Sequence, residues 1–114
     1  MLEKTVEKKI SEYATRKGCH VRKFSSPNQR SVPDRIFIFP FGTVVFIEFK
    51  APGKKPTDNQ VRELHKILLN RGNAFVVDDV ESVIFTSDYK GITIDHNGKR
   101  LIDYFLQWDR DKNA

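Results

Sequence analysis

The chain carries one cysteine, Cys19, among its 114 residues. An internal disulfide is therefore excluded, as is a zinc site built from cysteines, and a lone thiol suits a reducing compartment. Long apolar runs are missing too, and nothing approaches the ~18–20 residues of a membrane span. The opening Met1-Leu2-Glu3-Lys4 lacks the apolar stretch of a signal peptide, so a cytoplasmic protein with no membrane partner is expected. Internal repeats and low-complexity tracts are absent as well.

What is present suits a globular chain. Hydrophobic residues make up 39% and charged residues 31%, too apolar a balance for disorder. The length fits one domain, 1–114, with a real core. Twenty Lys and Arg against 15 Asp and Glu give a formal charge of +5, which favours an anionic partner, most commonly nucleic acid.

The most informative stretch is PDRIFIFPFGTVVFIEFK, residues 33–50. Apolar runs at 35–39 and 43–49 flank Pro40-Phe41-Gly42, a loop with glycine where a three-residue hairpin needs a left-handed residue. If Phe39 faces Thr43 across that loop, Asp34 falls opposite Glu48 on one face, and Lys50 shares the face by the period-2 rule. Like charges so placed repel, and Lys50 supplies one compensating cation. Two carboxylates at the end of an apolar hairpin also make a hard oxygen site for magnesium or manganese. In the second strand Val45, Ile47 and Phe49 point one way and Val44 and Phe46 the other, the pattern of a central, covered strand.

Around the hairpin, Leu2, Val6, Ile10, Tyr13 and Ala14 form one helical stripe that stops at Gly18. Glu3 and Glu7 lie together near its N-terminus, where they are either solvated first-turn acids or part of a metal site. A first strand is expected at 19–24, followed by a polar loop at 25–31. Lys23, Arg30 and Arg35 bracket that loop ahead of Asp34, beside the Ser26 hydroxyl, an arrangement suited to a phosphate backbone or to an ordinary solvated loop. Ala51 to Pro56 is a basic turn carrying Lys54 and Lys55. Thr57 to Gln60 opens a helix with a capping box, which by itself accounts for Gln60. A strand at 74–78 after that helix argues for a parallel crossover. Beyond it, 81–86 reads as a short helix or strand, 92–95 as a strand, 95–98 as a turn by its Asn97-Gly98, and 101–108 as a C-terminal helix.

Pro33-Asp34 followed by Glu48-Phe49-Lys50 at the end of the next strand resembles the PD-(D/E)XK nuclease motif. The longer run VPDRIFIFPFGTVVFIEFKAPGKKPTDNQ resembles the VRR-NUC family of that superfamily, especially its small stand-alone phage and bacterial members. The resemblance covers about residues 2–80, leaving 87–114 as an unassigned C-terminal extension. It implies an α/β, restriction-endonuclease-like core, a mixed sheet with element order α-β-β-β-α-β, and a metal-dependent DNA endonuclease. Carried over by residue, Asp34, Glu48, Lys50 and Gln60 would be catalytic. Asp34, Glu48 and the Phe49 carbonyl would hold Mg or Mn. Glu3 would complete the metal site, resembling the pattern of Holliday-junction resolvases, with Glu7 as the alternative. Lys23, Ser26, Arg30, Arg35, Lys54 and Lys55 would meet DNA phosphates. The family also implies branched DNA as substrate, a homodimer, and a bacterial or phage-infected host cell. Where the family pattern places glycines after the Ser-Pro and before the Pro-Asp, this chain has Asn28 and Ser31-Val32. The alternatives are a non-catalytic or partner-dependent DNA-binding module on the same fold, and an HNH-type site at His96-Asn97.

Overall fold

A three-residue loop with one glycine at its end dictates a tight antiparallel hairpin, and the computed structural model, which describes residues 1–113, contains it. The Phe39 N–H donates to the Thr43 carbonyl at 2.8 Å and the Gly42 N–H to the Phe39 carbonyl at 2.9 Å, with Gly42 at φ +99°. Strands β2 (Arg35–Ile38) and β3 (Val44–Phe49) pair with Arg35 opposite Ile47 and Ile38 opposite Val44. This is the expected register, and continued one step it sets Asp34 beside Glu48.

Helix α1 (Glu3–Arg16) precedes the hairpin and buries Val6, Ile10 and Ala14. Leu2, expected in the stripe, is instead the residue before the helix and stays 73% exposed. Strand β1 (His20–Lys23) pairs antiparallel with β2. After β3 the chain crosses over through α2 (Asp58–Leu69) into β4 (Asn73–Val77), which lies parallel to β3 as the crossover predicts. Residues 81–85, expected as a short helix or strand, are irregular. Strand β5 (Thr86–Tyr89) then turns through Lys90-Gly91, both at positive φ, into β6 (Ile92–Asp95). Helix α3 (Gly98–Asp111) ends the fold. The six strands run in the order β1-β2-β3-β4-β6-β5, a mixed sheet containing the expected α-β-β-β-α-β core.

The alternation of β3 divides the interior. Val45, Ile47 and Phe49 join Val21, Phe37 and Val77 beneath α1 and α3. Phe46 turns to the opposite face, against the cluster that α2 makes with Ala74, Val76, Ile92 and Ile94. At roughly 25 cal/mol per Å² of apolar surface removed from water, these two layers are the main source of stability.

The Asn97-Gly98 pair is not a free turn. Asn97 caps α3, its side-chain oxygen accepting from the Arg100 N–H at 3.0 Å. Glycine follows because a Cβ there would meet the Ile10 side chain at 2.6 Å. At the other end of α3, the fully buried Asp109 accepts from the Phe41 N–H at 2.7 Å and the Thr43 N–H at 3.0 Å, locking the hairpin loop. Burial pushes this carboxyl up, but the hydrogen bonds it accepts outweigh burial and hold it below its ordinary value. Asp109→Ala leaves the buried Thr43 N–H and the part-buried Phe41 N–H without their partner and is expected to lower stability by about 2–3 kcal/mol in urea unfolding. Because the folded carboxyl titrates below the unfolded one, this contribution is present above pH ~4 and lost in stronger acid. The gap between wild type and variant should therefore narrow there.

Candidate active site

The open end of the β2–β3 hairpin collects the charged residues that the sequence singled out. Asp34 precedes β2 and its Oδ2 accepts the Phe49 N–H at 2.8 Å, tying the two strand ends together. Glu48, the fifth residue of β3, is only 2% exposed, and its Oε2 accepts from Gln60 Nε2 at 3.1 Å. The same Gln60 amide completes the capping box of α2: its Oε1 accepts the Thr57 N–H at 2.9 Å while its main-chain N–H donates to Thr57 Oγ1. The cap uses the amide oxygen and leaves the amide nitrogen for the carboxylate. Gln60 therefore has a place in the site as well as in the helix start.

Each carboxylate has one oxygen tied to a protein N–H. Among the described residues, Asp34 Oδ1 and Glu48 Oε1 accept from no N–H donor. Burial pushes the Glu48 carboxyl up to about 9, with the Asp34 charge adding to the rise and Lys50 opposing it. Burial also raises Asp34; the Phe49 N–H opposes this and the charge of Glu7 adds to it. Each carboxyl lies close enough to act on the ionisation of the other. Lys50 is buried alongside, and among the described residues it forms no ion pair with either carboxylate. Two neighbouring, proton-hungry carboxyls with oxygen atoms to spare fit a hard divalent cation, which would compete with protons for those oxygens. Among the described residues no group of three His, Cys, Asp or Glu side chains closes on one point. Main-chain carbonyl, phosphate or water oxygens must then supply the remaining ligands.

The two N-terminal glutamates fall into different surroundings. Glu7 accepts from Arg35 Nε at 2.7 Å, a half-buried ion pair between α1 and β2. The exposed Glu3 has no such partner among the described residues, and its charge adds to the raised Glu48 carboxyl. Arg35, expected at phosphate, is thus occupied by Glu7. Sequence reading named both residues without pairing them, because they lie 28 positions apart.

The basic turn after Lys50 is held from below. Asp78, 2% exposed at the end of β4, accepts the Gly53 N–H at 3.0 Å through Oδ2 and lies 2.6 Å from His96 Nδ1 through Oδ1. His96 Nε2 in turn meets Ser87 Oγ at 2.9 Å. His96 is therefore engaged on both ring nitrogens in a chain that braces the turn, and among the described residues no group of three His, Cys, Asp or Glu side chains forms around it. The anchored turn presents Lys54 and Lys55 to solvent, and Lys23, Ser26 and Arg30 lie along β1 and the following loop. In that loop Ser31 takes φ +70°, a left-handed conformation that suits glycine better than serine.

Two outcomes are expected. In Glu48, the raised carboxyl favours folding most below pH ~4.5, and the benefit is lost as pH rises through about 9. In metal-free buffer the wild type should therefore lose stability between pH 5 and pH 9 relative to Glu48→Gln, by roughly 1–3 kcal/mol in denaturant unfolding, since structural relaxation and water entry absorb part of the cost. Ser31→Gly relieves the left-handed serine, and it should raise the unfolding free energy by about 0.5–1 kcal/mol after the entropy cost of glycine.

No family model matches the chain. A protein named "Putative nuclease p44", from Acyrthosiphon pisum secondary endosymbiont phage 1, is 40% identical to it over 81 residues, which is 71% of this chain and 86% of that protein. A solved structure described as "VRR_NUC domain" superposes with a TM-score of 0.65 at 24% identity, covering 92% of this chain and 94% of that one. The superposed fold thus extends beyond residue 80 into β5, β6 and α3.

Proposed function

Because the chain belongs to the VRR-NUC nuclease family, we propose that it is a metal-dependent DNA endonuclease that hydrolyses phosphodiester bonds at the Asp34–Glu48 end of the hairpin. The observation that carries this reading is the carboxyl pair of part-buried Asp34 and buried Glu48, with buried Lys50 on the same face and Gln60 braced against Glu48.

Asp34, Glu48 and the Phe49 carbonyl would hold the cation, Mg or Mn by their oxygen chemistry, with phosphate or water oxygens completing the set in place of Glu3, which does not close on one point with the pair. When bound, such a cation supplies Lewis acidity toward a phosphoryl oxygen and lowers the pKa of water. The protein supplies the rest. The Phe49 N–H fixes the Asp34 carboxylate and the Gln60 amide fixes Glu48, so neither side chain reorganises when substrate arrives. Lys50 donates hydrogen bonds that position the attacking water and offsets negative charge growing on the phosphoryl oxygens. Lys54 and Lys55 on one side and Lys23, Ser26 and Arg30 on the other contact backbone phosphates. Such contacts position DNA without reading sequence, which favours selection by DNA structure. Branched DNA, with a homodimer matching a twofold junction, is the substrate and assembly we assign on the strength of the family.

The test is incubation of four-way-junction, flap, single-stranded and supercoiled duplex DNA with the purified chain and Mg or Mn. Cutting that depends on metal is expected, and Asp34→Asn should abolish it. Lys50→Ala should keep the fold and metal binding but lose cleavage by ~10²-fold or more. Binding without cutting in every metal would move the assignment to a non-catalytic or partner-dependent DNA-binding module. A Lys50→Ala enzyme cutting near the wild-type rate would remove the lysine from the mechanism.

A further inference from the structure

Away from the carboxyl pair, a strongly charged groove lies between α1 and the edge strand β1. It encloses about 820 Å³ and is lined by Lys4, Lys8 and Arg16 from the helix and Lys23 and Arg35 from the strands, against Glu7 and Glu12. Arg35 and Glu7 neutralise each other at 2.7 Å. That leaves four cations facing one carboxylate, and among the described residues none of the four forms an ion pair. Lys4, Lys8, Arg16 and Lys23 are all exposed. Cations left unpaired along a groove are poised for an anion that is not part of the chain.

The groove also has a direction. Its Glu7–Arg35 end adjoins the cutting site: Arg35 follows Asp34 in sequence, and the charge of Glu7 is felt at the Asp34 carboxyl. From Lys4 to Arg16 the helix carries the cations over about 18 Å, the length of several nucleotides. A line of cations that starts beside a phosphodiester-cleaving site matches a polymer with one negative charge per repeat better than a compact acidic ligand.

We infer that the α1–β1 groove is a second nucleic-acid site, which holds the sugar–phosphate backbone of the strand running away from the scissile bond. This rests on the reading of the Asp34–Glu48 site as a DNA-cutting centre. It adds Lys4, Lys8 and Arg16 to the contact surface and makes affinity depend on the length of the DNA flank. Because backbone charge is the contact, single-stranded and duplex flanks share the required chemistry.

The experiment compares the wild type with the triple variant Lys4→Gln, Lys8→Gln, Arg16→Gln. Glutamine suits an exposed helix, and circular dichroism checks that α1 persists. Binding to fluorescein-labelled DNA is measured without divalent cation, so that nothing is cut, over a range of salt concentrations. One DNA spans only a few nucleotides around a break or branch; two others extend it by a single-stranded or a duplex flank. On the extended DNAs the variant should bind more weakly by on the order of 10-fold or more at low salt. Its log K against log salt slope should be shallower by about 2 to 3, the loss of three phosphate contacts. On the minimal DNA the two proteins should bind and, once metal is added, cut alike. Whichever flank shows the larger difference identifies the strand form the groove prefers. Equal slopes for wild type and variant on both extended DNAs would overturn the groove assignment, and would leave the cutting centre untouched. A slope difference without cleavage in any metal would keep the groove and overturn the nuclease reading.

Discussion

The register of the β2–β3 hairpin is the constraint on which the rest of the molecule depends. Side chains alternate along a strand, so a slip of one residue would move Asp34 or Glu48 to the wrong face and separate them. The chain secures the pairing at both ends: the Phe49 N–H binds the Asp34 carboxylate at the open end, and Asp109 binds the Phe41 and Thr43 N–H groups at the loop. Between these points β3 is covered on both faces. It therefore holds Glu48 in a rigid, water-poor setting that a surface strand could not provide.

That setting has a cost, and the cost is informative. Burying two neighbouring carboxyls raises both above their ordinary values, a local violation of the rule that buried charges be paired. Such conflicts are tolerated where function needs them. Here the protein does not remove the conflict by packing a cation directly against the pair. Lys50 stays close without forming an ion pair with either carboxylate, and Arg35, the neighbouring guanidinium, is turned to Glu7. Among the described residues, the second oxygen of each carboxyl is thereby left without a protein N–H donor.

Much of this was legible in the sequence because the signals are local. The glycine of the three-residue loop, the Thr57–Gln60 capping box and the apolar runs of the hairpin each fix structure within a few residues. Distant partners were harder to read. Lys90-Gly91 makes a two-residue hairpin turn without the Asn or Asp that marks such turns most clearly, so β5 escaped notice. Asn97-Gly98 carried the turn signal but serves a helix cap, and its glycine answers to Ile10, 88 residues away and invisible to any local pattern. The roles of Asp109 and of the Glu7–Arg35 pair likewise exist only once distant segments meet. In the site itself, Gln60 looked fully explained by its cap, because sequence shows that a side chain has one use and not that its other atom has a second.

The clasp that Asp109 places on the hairpin loop spans 68 residues to Phe41 and 66 to Thr43. A chain emerging from the ribosome makes its hairpin early and α3 late. Until α3 has been made and has docked, the loop end of the hairpin lacks its fastener, and the carboxyl pair rests on strand pairing and on the contacts at the open end. The order of synthesis thus completes the hairpin's fastening last, and an incomplete nascent chain carries Asp34 and Glu48 without their final alignment.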